Sequence, residues 1–319
     1  MSDPLDDLVQ RLARGERRAV ARTLRRIDDD PQFGRALALR LTPHIRGAQI
    51  IGITGNPGAG KSTLVDVLIA ALREEGRRVA VLAVDPSSPY SGGAILGDRI
   101  RMSRHAVDDG VFIRSLATRG ALGGISRATA ESVRVLDVAG FDTILIETVG
   151  VGQDEVDIAR LAETTVVIMV PGLGDDLQAI KAGLLEVADI FVINKADRPG
   201  VHEVERALQH NLSLAPNHSS WPPPIVRTVA LTGEGLAELI SAIGEHRAYA
   251  RSHAGRDAAV ARARALFEQL LDAALVERGR AALGTSLDAA NRRLTEADVD
   301  PYAEVARVLN TLAPCGPTS

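Results

Sequence analysis

Eight consecutive residues, Gly55-Asn56-Pro57-Gly58-Ala59-Gly60-Lys61-Ser62, follow the pattern G-x-x-x-x-G-K-[ST]. Chemistry on phosphate needs this combination of residue types. Glycines let successive backbone amides turn toward one anion, the lysine ammonium neutralises β- and γ-phosphates, and the serine hydroxyl is a hard oxygen ligand for Mg²⁺. The apolar run Ile50-Ile51-Gly52-Ile53-Thr54 precedes the glycines, and the amphipathic segment Thr63–Gly76 follows them. A strand therefore passes into a helix through the loop, and the helix N-terminus adds its positive end to the phosphate cradle. Thr63, beside Ser62 in the first helical turn, completes the expected phosphate-contacting set.

Carboxylates at strand ends complement a hydroxyl-held Mg²⁺. Asp85 closes the run Val79–Val84, Glu147 closes Thr143–Ile146, and Asp98 lies between Pro86 and Met102. Asn194-Lys195-Ala196-Asp197, directly after the apolar run Asp189–Ile193, addresses the base. An N-K-x-D at a strand end resembles the guanine-recognition motif of G proteins. Guanine presents N1–H and N2–H₂ donors where adenine presents an N1 acceptor and an N6 donor, so the Asp197 carboxylate pairs with guanine and repels adenine. Lys195 is expected to lay its alkyl stem along the base. Ala230-Leu231 resembles the last G-protein motif, S-A-L, with Val229 in the place of serine. Glu147-Thr148-Val149-Gly150 resembles the D-x-x-G of the second switch, with glutamate replacing aspartate. The Gly150 amide is expected on the γ-phosphate, and Lys61, Glu147 and Gly150 are the expected catalytic residues. Signalling GTPases carry a glutamine directly after that glycine; here Gln153 stands three residues later. Slow intrinsic hydrolysis is the expectation.

The elements that must position these groups are an alternation of strands and helices. Strands are predicted at Gln49–Thr54, Val79–Val84, Val111–Arg114, Thr143–Glu147, Thr165–Val170, Ile190–Asn194 and Val226–Ala230, with helices such as Ser62–Glu75, Ile125–Ala139 and Asp175–Val187 between them. Such a series predicts an α/β P-loop fold with a mainly parallel sheet flanked by helices, its ligands beyond the carboxyl ends of the strands. Residues 1–46 read as amphipathic helix, with Leu5, Leu8, Leu12, Val20, Leu24 and Ile27 near a helical period. Their many aspartates and glutamates argue against a transit peptide. After about residue 250 no strand pattern remains: Ala258–Leu283 reads as one long helix followed by shorter ones, and its Leu266, Phe267, Leu270, Leu271 and Leu275 need a partner surface.

Composition narrows the function classes. The chain has 319 residues, 45% of them hydrophobic, and a net charge of −4. No global field favours nucleic acid or an anionic membrane, and no apolar run is long enough to span a bilayer. One cysteine, Cys315, permits no intrachain disulfide, which fits a cytoplasmic location. Of the 37 basic residues only three are lysines, Lys61, Lys181 and Lys195. Two of these stand in the nucleotide motifs, where a compact ammonium differs from a planar guanidinium.

Taken together, Gly55–Ser62, Asp85-Pro86-Ser87-Ser88, Gly97–Met102, Glu147–Gln153 and Asn194–Asp197 resemble the MeaB/ArgK group of G proteins, GTPase chaperones of adenosylcobalamin-dependent methylmalonyl-CoA mutase. The resemblance runs over nearly the whole chain. It implies a homodimeric P-loop GTPase with Mg²⁺, GTP as substrate and GDP as product. Its partner would be an acyl-CoA mutase, which it guards during cofactor loading and release. On this reading residues 1–46 are an N-terminal helical extension, 47–250 the GTPase domain and 251–319 a C-terminal helical dimerisation arm. Carried over by position, the resemblance implies that Ser62, Asp85, Asp98 and Glu147 surround Mg²⁺, with Asp85 and Glu147 acting through bound water or from behind the direct ligands. Asp175, Gln178 and Lys181 are spaced three apart, so they share a helix face. They fall where the family has a third switch that reports nucleotide state to the mutase. Asp154 departs from the family, which more often has serine there. Three other functions compete: a metallochaperone GTPase, a kinase regulating an arginine/ornithine transport system, and a nucleotide-dependent scaffold without useful turnover. Scattered histidines weigh against the first, and the guanine motif against an ATP-using kinase.

Overall fold

The structure is a computed structural model and describes residues 3–85, 103–105, 107–117, 127–148, 154–172, 182–214, 221–295 and 299–311. Its described residues fall into two compact units, 1–264 and 265–319. Asp98, Gly150, Asp175, Gln178, Lys181 and Cys315 lie outside the described residues.

In the first unit the helices α1 (Pro4–Ala13), α2 (Arg17–Asp29) and α3 (Pro31–Leu41) precede β1 (Gln49–Gly55) and α4 (Lys61–Glu74). Next come β2 (Val79–Asp85), β3 (Val111–Ala117), α5 (Arg127–Val138) and β4 (Thr143–Thr148). The series continues with α6 (Asp154–Leu161), β5 (Thr164–Met169), α7 (Ala182–Val187), β6 (Ile190–Asn194), α8 (Val201–Leu214), β7 (Ile225–Thr228) and α9 (Leu236–Arg251). The strands form a seven-stranded sheet in the order β3-β2-β4-β1-β5-β6-β7, and every pairing is parallel. Strands β4, β5 and β6 are buried along their whole length, as both faces of a parallel sheet must be. From β1 the chain winds first toward β3 and then back toward β7. The loop after β1 therefore opens at the point where the winding reverses, the crevice where such sheets take their ligands.

Two apolar layers clamp the sheet. On one face α1, α2, α3 and α5 bring Leu12, Leu24, Ile27, Leu37 and Leu136 against Ile144 and Ile146. The periodic leucines of the first 46 residues are thus core, and the helical segment is divided into three helices. Asp30 and Pro31 make one of its breaks: the proline fits the first helical position, and the Asp30 carboxylate accepts from the Phe33 amide at 3.0 Å. On the other face α4 and α9 bring Leu64, Leu68, Leu239 and Ile243 against Ile51, Ile53 and Val81.

All seven expected strands are present, with small shifts at their ends. The last stops at Thr228 instead of Ala230, because Val229 turns to donate its amide to Glu234 O at 3.0 Å. Of the helix expected at Asp175–Val187, the described part is Ala182–Val187.

Helix α10 (Arg256–Arg293) is broken at Gly284, where φ is 40° and ψ −117°, so its first part ends at the expected Leu283 and a shorter helix follows. In the second unit Phe267, Leu271 and Leu275, at successive intervals of four on α10, are exposed. The helix α11 (Pro301–Leu309) starts on an Asp300 cap, and its buried Glu304 takes Arg293 at 2.7 Å. That hydrogen bond holds the Glu304 carboxyl below the usual carboxylate range. Among the described residues no helix is long and apolar enough to cross a membrane.

Candidate functional site

The loop between β1 and α4 is shaped by glycines whose neighbours leave no room for a side chain. Gly55 has φ 137°, and a Cβ there would stand 2.1 Å from Ile168 O on β5. Gly60 has φ 87°, and its Cβ would meet Asn194 Nδ2 at 2.4 Å. The first position lets the end of β1 lie against its sheet neighbour; the second lets the loop close onto β6. Lys61, only 7% exposed, donates from Nζ to Gly55 O at 2.6 Å and Asn56 O at 3.1 Å. It is folded across the loop from the first turn of α4, its ammonium held by carbonyls in the position from which it can exchange them for phosphate oxygens.

Ser62 Oγ donates to Glu147 Oε1 at 2.6 Å. Glu147 is buried on β4, directly beside Ile53 of β1 in the ladder, so strand order alone brings the carboxylate to the start of α4. Asp85 ends β2 two residues beyond Ala83, the ladder partner of Glu147. A hydroxyl and a buried carboxylate at this spacing form a hard-oxygen pair, the donor chemistry that suits Mg²⁺.

The N-K-x-D segment is wired to the loop across the crevice. Asn194 Nδ2 donates to Ala59 O at 2.8 Å, while its Oδ1 accepts from Thr228 Oγ1 at 3.2 Å and Ala230 N at 3.1 Å. Asn194 therefore ties the phosphate loop to β7 and to the turn after it. Lys195 adopts a left-handed φ of 57°, costly for a residue other than glycine, and Nζ reaches Gly58 O at 2.7 Å. Its stem is thus laid across the loop, leaving Asp197 exposed beyond it. Ala230 is buried and Leu231 is 89% exposed.

Sequence reasoning alone did not single out three threonines at strand ends. Thr148 Oγ1 donates to Thr54 Oγ1 at 3.0 Å beneath the loop, both residues fully buried, and Thr228 orients Asn194. The only trace in the sequence is a hydroxyl closing each of the apolar runs IIGIT, TILIET and IVRT.

The family described as methylmalonyl Co-A mutase-associated GTPase MeaB matches residues 18–283, most of the chain. This protein belongs to the MeaB family. A Pyrococcus horikoshii relative that carries a GTPase name is 46% identical over 314 residues, covering 97% of this chain and 98% of its own. A mouse relative, named methylmalonic aciduria type A homolog, mitochondrial, is 36% identical over 253 residues, 74% of this chain and 61% of that one. The crystal structure of an LAO/AO transport system kinase superimposes with a TM-score of 0.69 at 25% identity, over 98% of this chain and 99% of that one. The MeaB-family chain is accordingly a P-loop GTPase that binds guanine nucleotide and hydrolyses GTP to GDP and phosphate.

Proposed function

We propose that this MeaB-family GTPase is a Mg²⁺-dependent chaperone of an adenosylcobalamin-dependent methylmalonyl-CoA or related acyl-CoA mutase, acting in the cytoplasm as a homodimer. The observation that carries the catalytic half is the meeting of Lys61, the Ser62–Glu147 pair and the Asn194–Lys195 clamp on one loop. The mutase half is supported by the family description and by the name of the mouse relative.

Lys61 and the amides from Gly58 through Thr63 bind the β- and γ-phosphates, and the α4 N-terminus adds favourable charge. Ser62 and Glu147, with Asp85 and Asp98, hold Mg²⁺. The ion, when bound, supplies charge neutralisation to the phosphates. Gly150 donates its amide to the γ-phosphate. Asp197 pairs with guanine N1–H and N2–H₂, Lys195 covers the base, and Ala230 and Leu231 close its far side. Asp175, Gln178 and Lys181 carry the nucleotide state to the mutase. Without a glutamine directly after Gly150, intrinsic turnover is slow and the partner accelerates it.

GTP and ATP turnover by the purified protein, alone and with the mutase from the same source, tests this reading. GTP-selective turnover that rises with the mutase is the expected result; GTP turnover indifferent to the mutase would remove the chaperone role. The dimer arm is tested separately. Phe267, Leu271 and Leu275 leave an apolar stripe on α10, larger than a solvated helix needs. Light scattering of Leu271→Asp/Leu275→Asp should give the mass of a monomer and the parent chain that of a dimer. A dimer that survives both substitutions places the interface elsewhere.

A further inference from the structure

At the end of the sheet opposite the phosphate loop, α4 and α9 leave a cavity of about 310 Å³ against the start of β1. Its floor is apolar: Ile51, Leu68, Leu72, Ile240 and Ile243. Its mouth carries Arg77, Arg247 and Glu75, which also line an adjoining polar cavity of about 390 Å³. Gln49, the first residue of β1, is 1% exposed and lines the apolar cavity beside Ile51. Its Oε1 accepts from Arg77 Nη2 at 2.9 Å and from Arg247 Nη1 at 3.4 Å. These bonds fix the amide so that Nε2 is left over, and among the described residues it has no partner. Thr143, the ladder neighbour of Gln49 and therefore on the same sheet face, is fully buried with its hydroxyl likewise unpartnered.

Leaving two adjacent buried polar groups unsatisfied is costly, and a sheet face covered by leucine and isoleucine could have carried apolar residues there instead. The cations are under-matched too. Among the described residues Arg77 makes no ion pair, its acceptor being the neutral Gln49 amide. Arg247 shares Gln49, takes Gly47 O at 3.0 Å and lies 3.7 Å from Glu163. Burial, reinforced by the nearby Arg251 and Arg77 charges, holds the Arg247 guanidinium below its usual range despite the opposing Glu163 and Asp142 carboxylates. An anion at the mouth would take the free Gln49 amide hydrogens and match both guanidinium groups at once.

We propose that this cavity is a binding site for a small aliphatic carboxylate. Its chain lies on the isoleucine and leucine floor, and its carboxylate accepts from the guanidinium groups of Arg77 and Arg247 and from the Gln49 amide. Glu75 on the rim disfavours more highly charged heads. The site is separate from the nucleotide: β1 spans seven residues between Gln49 and Gly55, about 20 Å of strand.

Gly244 makes the test clean. Ile240, Ile243, Gly244 and Arg247 share the face of α9 that lines the cavity, and a Cβ on Gly244 would meet nothing within 4 Å. Gly244→Met should place its side chain in the cavity while favouring the helix. Octanoate is the probe, with 1-octanol as the uncharged tail and inorganic phosphate as an anion without one. Calorimetric titration of the full chain should show saturable octanoate binding, and neither control should compete. Gly244→Met and Arg247→Met should each weaken binding at least tenfold, the glycine variant keeping the parent melting temperature and GTP turnover. Absence of saturable binding, equal binding of 1-octanol, or unchanged affinity in a folded Gly244→Met would overturn the proposal and leave a hydrated cleft.

Discussion

Lys61→Ala is expected to lower kcat for GTP by about 10²–10³-fold, the usual cost of deleting one preorganised charge donor at a site of developing charge. The expectation rests on where the ammonium is held. Lys61 is nearly buried, and its Nζ is fixed by Gly55 O and Asn56 O within the turn of the loop itself, so little reorganisation separates it from the phosphates. The loss should fall on the chemical step. Single-turnover hydrolysis with saturating GTP and Mg²⁺ reads that step, while thermal unfolding checks that the loop keeps its fold. Lys61→Arg should not restore the rate, since the planar guanidinium is larger than the ammonium and cannot occupy the same enclosed turn. Turnover within a few-fold of the parent in a folded Lys61→Ala protein would remove this lysine from the catalytic machinery.

Asp197→Asn should weaken GTP and GDP binding by roughly 10²–10⁴-fold, because two hydrogen bonds to a charged acceptor, each contributing about 1.5–3 kcal/mol, are lost together. The substitution also makes a positive prediction. Xanthine carries a carbonyl at C2 where guanine has its amino group, so the new carboxamide can donate to it and affinity for xanthosine nucleotides should rise. Asp197 is exposed at the end of a segment whose other members hold the loop, so the change should leave the loop intact. Competition titrations with the four nucleoside diphosphates and XDP measure it. Unchanged GDP affinity would place base recognition on other residues.

Asn194 qualifies the motif as the sequence presents it. In a linear reading the residue belongs with the base; in the fold its amide bonds Ala59, Thr228 and Ala230, so it braces the loop against β7. Ala59 is 135 positions away from it, and no local pattern announces the contact. The same holds for Ser62 and Glu147, 85 positions apart and joined at 2.6 Å. Glutamate at the end of a strand is recognisable from the apolar run before it. That it reaches this serine follows only from β4 lying next to β1.

By itself the sequence determined the loop, the alternation of strands and helices, and the guanine-type motif. Each is written within a few consecutive residues, where glycine tolerance and hydrophobic period act locally. Residues 1–46 show the boundary: their leucine spacing specifies helix, while burial of Leu12, Leu24 and Leu37 against β4 became visible only once the sheet existed to receive them. The tertiary structure alone decided which strand ends meet, that Thr54 and Thr148 join beneath the loop, and that Gln49 and Thr143 stand side by side with polar atoms that have no partner among the described residues. Strand order is a property of crossover connections and layer packing. It brings together residues whose separation along the chain carries no information about their distance in space.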